Sequence, residues 1–159
     1  MQAAFKLAGW SPAHELSGQS VMETVRAVAE MRGYKEAPMS RLLLDGRRSN
    51  FEFQKGNNTF AKRHHLRVWQ RPETYQDKPI WVSSSTHDIG IEFSQENRTF
   101  IHLIDPQIDR ERGKVVSDLL FTGKVESIAL VARPEVPRDA SNATGDKLVT
   151  DGRMAVILR

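Results

Sequence analysis

Between Pro38 and Ile104 the chain is punctuated so closely that its extended segments have little room for anything but hairpins. Stretches of β character, Ser40 to Leu44, Asn50 to Gln54, His64 to Trp69 and Ile80 to Phe93, alternate with turn residues at Asp45-Gly46 and Gly56-Asn57-Asn58, and Ile101 to Ile104 reads as a further strand. A parallel pair needs a crossover of a dozen residues or more, usually helical. The intervals here are mostly shorter, so a largely antiparallel sheet is expected.

Helical periodicity is confined to the flanks. From Ser20 to Arg32 the apolar positions Val21, Met22, Val25, Val28 and Ala29 recur at helical spacing, Ser20 and Glu23 match a capping box, and Gly33 supplies a stop. A second helix is predicted after Asp105-Pro106, where Asp can cap and Pro takes the first helical position; it carries Ile108, Val115, Val116, Leu119 and Leu120 and ends near Gly123. Ala3 to Ala8 fits helix or strand. Val125 to Ala132 alternates as a strand would, and Pro134 to Asp146 is a polar loop. The closing segment, Lys147 to Leu158, is expected to be two short strands joined by a hairpin turn at Asp151-Gly152. No repeat or linker divides the chain. The expectation is one α+β domain over residues 1–159, a largely antiparallel sheet with two main helices packed on one face.

Composition narrows the function classes. At 39% hydrophobic and 27% charged residues, a chain of 159 residues can close a core and stay ordered without disulfides. The absence of cysteine excludes thiolate nucleophiles and cysteine-ligated zinc, and leaves the compartment open. No apolar run approaches the roughly 18 residues of a membrane span, and the first ten residues lack the apolar centre of a secretory signal, so a soluble chain is expected. A formal net charge of +3 suits phosphate-bearing partners but is too small for a dedicated nucleic-acid surface.

Three polar clusters could carry chemistry. In Lys62-Arg63-His64-His65-Leu66-Arg67-Val68-Trp69, strand alternation sets His64, Leu66 and Val68 on one face and Arg63, His65, Arg67 and Trp69 on the other, a basic surface able to grip phosphate or carboxylate or simply a solvated face. In Ser83-Ser84-Ser85-Thr86-His87-Asp88, Asp88 could orient a histidine or bind a metal, while no Gly-x-Ser-x-Gly elbow marks a nucleophilic serine. The third runs from His102 to Arg112. There Asp105 serves as an N-cap and Asp109 and Glu111 as first-turn acids that complement the helix dipole, whereas His102 has no such structural reason. His65, Asp88 and His102, with Asp105 or Asp109, are the types of ligand that would hold a divalent ion, although no local spacing matches a specific metal motif.

Several stretches, taken in order, resemble the LssY C-terminal domain family of bacteria: Ala8-Gly9-Trp10, Ala37-Pro38-Met39-Ser40, Asp45-Gly46-Arg47, Phe51 to Lys55, Arg63 to Trp69, Ile80-Trp81-Val82, Asp88-Ile89-Gly90, His102 to Arg112, Gly145-Asp146 and Thr150-Asp151-Gly152. The resemblance spans nearly the whole chain. It implies an envelope-associated setting, with membrane domains as partners, and supplies no reaction. It places His65, Arg67, Asp88, His102, Asp105, Asp109 and Arg112 inside family motifs, and His87 at a position where members vary.

Three functions follow as expectations. The leading one is recognition of an anionic, phosphate-bearing ligand such as a lipid headgroup through Arg63, His65 and Arg67, with Asp88, His102, Asp105, Asp109 and Arg112 as further candidates. The others are a metal-assisted hydrolase using His65, Asp88 and His102, and a structural interaction domain in which the clusters are hydrogen-bonding networks.

Overall fold

A computed structural model describes residues 1–13, 42–59, 62–94, 99–142 and 145–158. In chain order its elements are α1 (Gln2–Leu7), β1 (Ser11–Pro12), β2 (Leu43–Leu44), β3 (Arg47–Arg48), β4 (Phe51–Thr59), β5 (Lys62–Tyr75) and β6 (Lys78–Ser94). There follow β7 (Thr99–Ile104), α2 (Ile108–Leu120), β8 (Ser127–Ala132), β9 (Asp139–Ser141), β10 (Lys147–Val149) and β11 (Arg153–Leu158). The central sheet runs β1-β4-β5-β6-β7 with every pairing antiparallel, and three two-stranded ribbons, β2-β3, β8-β11 and β9-β10, accompany it.

The antiparallel expectation holds; the two main helices overstate the helical part. Among the described residues strand predominates, and the helices are short, α1 of 6 residues and α2 of 13. The helix expected from Ser20 to Arg32 lies outside the described residues. Ala3 to Ala8, which fitted either state, is mostly within α1.

β5, at 14 residues, far outruns the strand read from His64 to Trp69, whereas β6, at 17 residues, extends the strand read from Ile80 to Phe93 by only three. Pro72 does not end β5: the strand passes it at a register irregularity between Gln70 and Thr74, where a missing N–H breaks no ladder bond. The two strands are joined by Gln76 and Asp77, both at positive φ (49° and 60°), a two-residue turn whose twist matches the strands. Asp45 (φ 50°) and Gly46 (φ 73°) do the same between β2 and β3, as the Asp-Gly signal implies.

The core lies on one face of the central sheet. Phe53 and Leu66 are register partners, Phe51 pairs with Val68, and Phe5 of α1, Trp10 and Val115 of α2 pack over them. Leu66 is fully buried, and each such side chain contributes on the order of 2 kcal/mol through the water it leaves. Trp10 donates its indole N–H to Asp118 Oδ2 at 3.0 Å, and the Lys55 ammonium donates to the same oxygen and to the Ala8 carbonyl. The Ala-Gly-Trp stretch therefore clasps α1, β4 and α2 together. Gly9, at φ +82°, makes the turn that delivers the tryptophan.

Asp151-Gly152 is not a hairpin turn. β10 pairs with β9 and β11 with β8, so the segment links two ribbons. Its polar groups are drawn elsewhere: Asp151 N–H donates to Asp109 Oδ2 at 2.6 Å, the Gly152 carbonyl accepts from Arg133 N–H at 2.7 Å, and Thr150 N–H donates to the Arg138 carbonyl. β9 also occupies part of the stretch read as polar loop.

Candidate functional site

From Arg63 to Trp69 every residue of β5 is buried, on both faces of the sheet. The basic strand is therefore not a solvated face. One face, with His64, Leu66 and Val68, meets the helices. The other, with Arg63, His65, Arg67 and Trp69, is partly covered by the β2-β3 ribbon, where the Arg47 carbonyl accepts the Trp69 indole N–H at 3.1 Å.

On that second face three strands bring His65, Asp88 and His102 together. Arg63 is the register partner of Asp88, which places His65 diagonally across from it. Ile104 is the partner of Asp88 on the other side, and His102, two residues away, shares that face. Asp88 Oδ2 stands 2.7 Å from His65 Nε2 and 2.8 Å from His102 Nδ1. Asp88 and His65 are nearly sealed, whereas the His102 side chain is 33% exposed. A two-residue step, Asp88 to Gly90 against Ile104 to Leu103, forms a bulge beside the cluster, a device that re-aims side chains near sites.

Burial pushes the Asp88 carboxyl up, but hydrogen bonds from His102 and His65 and the field of both imidazoles outweigh it and hold its pKa at about 2. Asp88 is thus a carboxylate at neutral pH. A carboxylate only accepts, so the ring nitrogens facing it carry protons, and an imidazole in its neutral form has its lone pair on the opposite nitrogen. For His65 that nitrogen, Nδ1, is buried with no hydrogen-bond partner among the described residues. For the half-exposed His102 it is Nε2. Arg67 lies within the fields of Glu52 and Asp88; its pKa is lowered because desolvation exceeds their support.

On the helix face a second cluster forms. His64 and His87 are register partners, their rings stacked at 4.2 Å and 15°. His64 Nδ1 pairs with Glu111 Oε2 of α2 at 2.7 Å, in the interior. These three line a small open pocket of about 160 Å³ together with Asp105, Gln107, Arg110 and Lys114. The His87 pKa is lowered, by burial first and by His64 second. One ligand atom from each of His64, His87 and Glu111 lies within 4.8 Å of the others.

Of the residues singled out from the sequence, His65, Asp88 and His102 meet, with Arg63 and Arg67 on the same face. Asp105 does not join them; it lines the opposite pocket, and its Oδ1 accepts Gln107 N–H at 2.9 Å just before α2, which starts two residues later than Pro106. Asp109 and Arg112 also stand apart. Arg112 grips Asp151 through two hydrogen bonds of 2.8 and 3.0 Å and reaches Asp109 at 3.0 Å, while Asp109 accepts from Thr150 and Asp151, so the pair clips α2 to the 150–153 loop.

The sequence reading passed over His64, His87 and Glu111. Glu111 was assigned to the helix dipole, although it precedes Val115 by four residues and Leu119 by eight and so falls on the buried stripe. His64 carried a matching signal, two residues before Leu66. A carboxylate and an imidazole both on core faces of adjoining elements are each other's natural partners.

No helix among the described residues is long and apolar enough to cross a membrane. Neither a comparison with curated proteins nor one with solved structures gave a significant match. The family model described as the LssY C-terminus matches residues 1–154, and with nearly the whole chain covered the protein belongs to that family.

Proposed function

We propose that the domain performs acid–base chemistry on a small anionic substrate, a hydrolysis in which His102 activates water and Asp88 positions it. The observation that supports this reading is the single oxygen, Asp88 Oδ2, at 2.7 Å from one imidazole and 2.8 Å from another that is partly open to solvent. A carboxylate that fixes one imidazole nitrogen leaves the other oriented and basic, the arrangement by which histidines serve as general bases. Arg63 and Arg67, buried on the same face, favour a substrate carrying phosphate or carboxylate through their field rather than through contact. Their burial is also why surface recognition of an anionic lipid becomes the weaker reading, since neither guanidinium is open to a headgroup.

A screen of phosphomonoesters, phosphodiesters and carboxylic esters tests the proposal. His102→Ala should lower kcat by about a hundredfold or more with the fold retained by circular dichroism. Asp88→Asn should lower kcat with KM little changed, since the positioning residue does not hold substrate. Activity that is undiminished in His102→Ala, or absent from the wild-type chain throughout the screen, would sink the idea.

The near-complete burial of Asp88 and His65 favours one second reading, a network that fixes three strands in register. In that case His65→Ala lowers the melting temperature and no substrate is turned over.

A further inference from the structure

The helix-face cluster has no part in the chemistry proposed for His102. We infer that His64, His87 and Glu111 form a binding site for one divalent transition-metal ion, a two-histidine, one-carboxylate set open toward the pocket.

The ligand atoms come from β5, β6 and α2 and already lie within 4.8 Å of one another. Bonds of about 2.0–2.2 Å to a common ion set neighbouring ligand atoms about 3 Å or more apart, so the group needs only a small contraction on one side and expansion on the other. His64 Nδ1 and Glu111 Oε2 are already paired at 2.7 Å. Glu111 is 4% exposed, and its second oxygen, Oε1, is buried without a hydrogen-bond partner among the described residues; the same is true of His87 Nε2. Buried polar atoms of this kind are normally satisfied, and a cation satisfies a carboxylate oxygen and an imidazole lone pair together.

Asp105 also lines the pocket, and of the two cations in the lining the Lys114 ammonium is held by Asp118 at 3.0 Å. The stacked rings impose one requirement. Parallel imidazoles point their lone pairs side by side, so His87 must swing about its side-chain torsions to complete the site, and it is half-buried at the edge of a void of about 160 Å³. Mixed imidazole and carboxylate donors suit zinc, iron(II) or manganese(II), with Co²⁺ as the spectroscopic probe. At Asp88, by contrast, both imidazoles contact one carboxylate oxygen, and an ion would have to displace both hydrogen bonds.

Titration of the whole chain with Co²⁺, followed by its visible d–d absorption, decides the matter. One equivalent should bind saturably, His87→Ala and Glu111→Gln should each weaken binding at least about tenfold, and His102→Ala should still bind Co²⁺. Because Glu111 is buried and its variant can lose the fold, the half-buried His87→Ala, checked by circular dichroism, carries the test alone if needed. The inference falls if the wild-type chain shows no saturable band, or if the band persists in His87→Ala and disappears in His102→Ala.

Discussion

His64 and His65 are neighbours in sequence and end up in opposite circumstances. His64 points toward the helices, where its partner is a glutamate delivered by α2 and a pocket opens beside it. His65 points the other way, where its partner is an aspartate of the adjoining strand and little space remains. The first pairing joins layers; the second joins strands within one sheet. A pair between layers can be loosened by moving the helix, whereas a pair within the sheet is held by the ladder on either side. A carboxylate held within the sheet, as in His65-Asp88-His102, is suited to fix an imidazole's orientation, whereas closure of His64, His87 and Glu111 on the proposed ion needs only side-chain movement between layers.

The largest effect is expected at Asp88. Asp88→Ala leaves two imidazoles facing an empty place in a nearly sealed cluster, and the loss of one partner from a buried hydrogen-bonded pair costs about 3 kcal/mol. At roughly 2–4 °C per kcal/mol for a chain of this length, the melting temperature should fall by roughly 6–12 °C. A fall of only a degree or two would mean that the cluster does not hold the strands, and that its rigidity is not what orients His102.

Acid should reveal the same interaction without mutation. The folded Asp88 pKa of about 2 lies below its unfolded value near 3.8, so its contribution is present above pH 4 and is lost as pH falls through about 2. Linkage converts that depression into about 2 kcal/mol. Urea melts at pH 6 and pH 2.5 should show that this part of the acid loss is missing in Asp88→Ala. Equal acid sensitivity in the two proteins would assign the loss to other carboxylates.

Glu111→Gln tests the other side. The amide is isosteric and can still accept from or donate to His64, so the expected cost, about 1–2 kcal/mol, is smaller than for Asp88→Ala. Thermal melts of the two variants side by side check the order. Were Glu111→Gln the more damaging, the helix-face pair would be the rigid one and the contrast would reverse.

How much of this was legible in the sequence differs by element. Turn chemistry and β character fixed the antiparallel sheet, and alternation placed His64 and His65 on opposite faces, as found. That His65, Asp88 and His102 would meet was an expectation resting on residue types, since the register that joins them depends on pairings across 23 and 14 residues. The length of β5 was hidden because Pro72 mimics an end and Gln76-Asp77 lacks the glycine that marks such turns, whereas β6 was read nearly whole. The pairing of β8 with β11 was hidden too, because Asp151-Gly152 is held by Asp109 and Arg112 of a distant helix rather than by its own neighbours. Glu111 was visible by periodicity, yet an acid in a first helical turn has so ready an explanation that its place on the apolar stripe went unused.

The smallest expected effect concerns that clip. Arg112→Lys keeps the charge but cannot reproduce the planar, two-pronged grip on Asp151, whose pKa is held low chiefly by the guanidinium. Both side chains are partly solvated, so the ion pair itself contributes little and the melting temperature should fall less than in Glu111→Gln. The local consequence should be larger than the global one: amide hydrogen exchange at Asp151 and Arg153, whose N–H groups donate to Asp109 and to Asp151, should quicken while that at Leu66 stays slow. If Arg112→Lys instead lowers the melting temperature more than Glu111→Gln, α2 is anchored from the 150–153 loop rather than by the His64-Glu111 pair. The pocket would then owe its shape to the clip, and the helix-face cluster would be the looser partner in energy as well as in geometry.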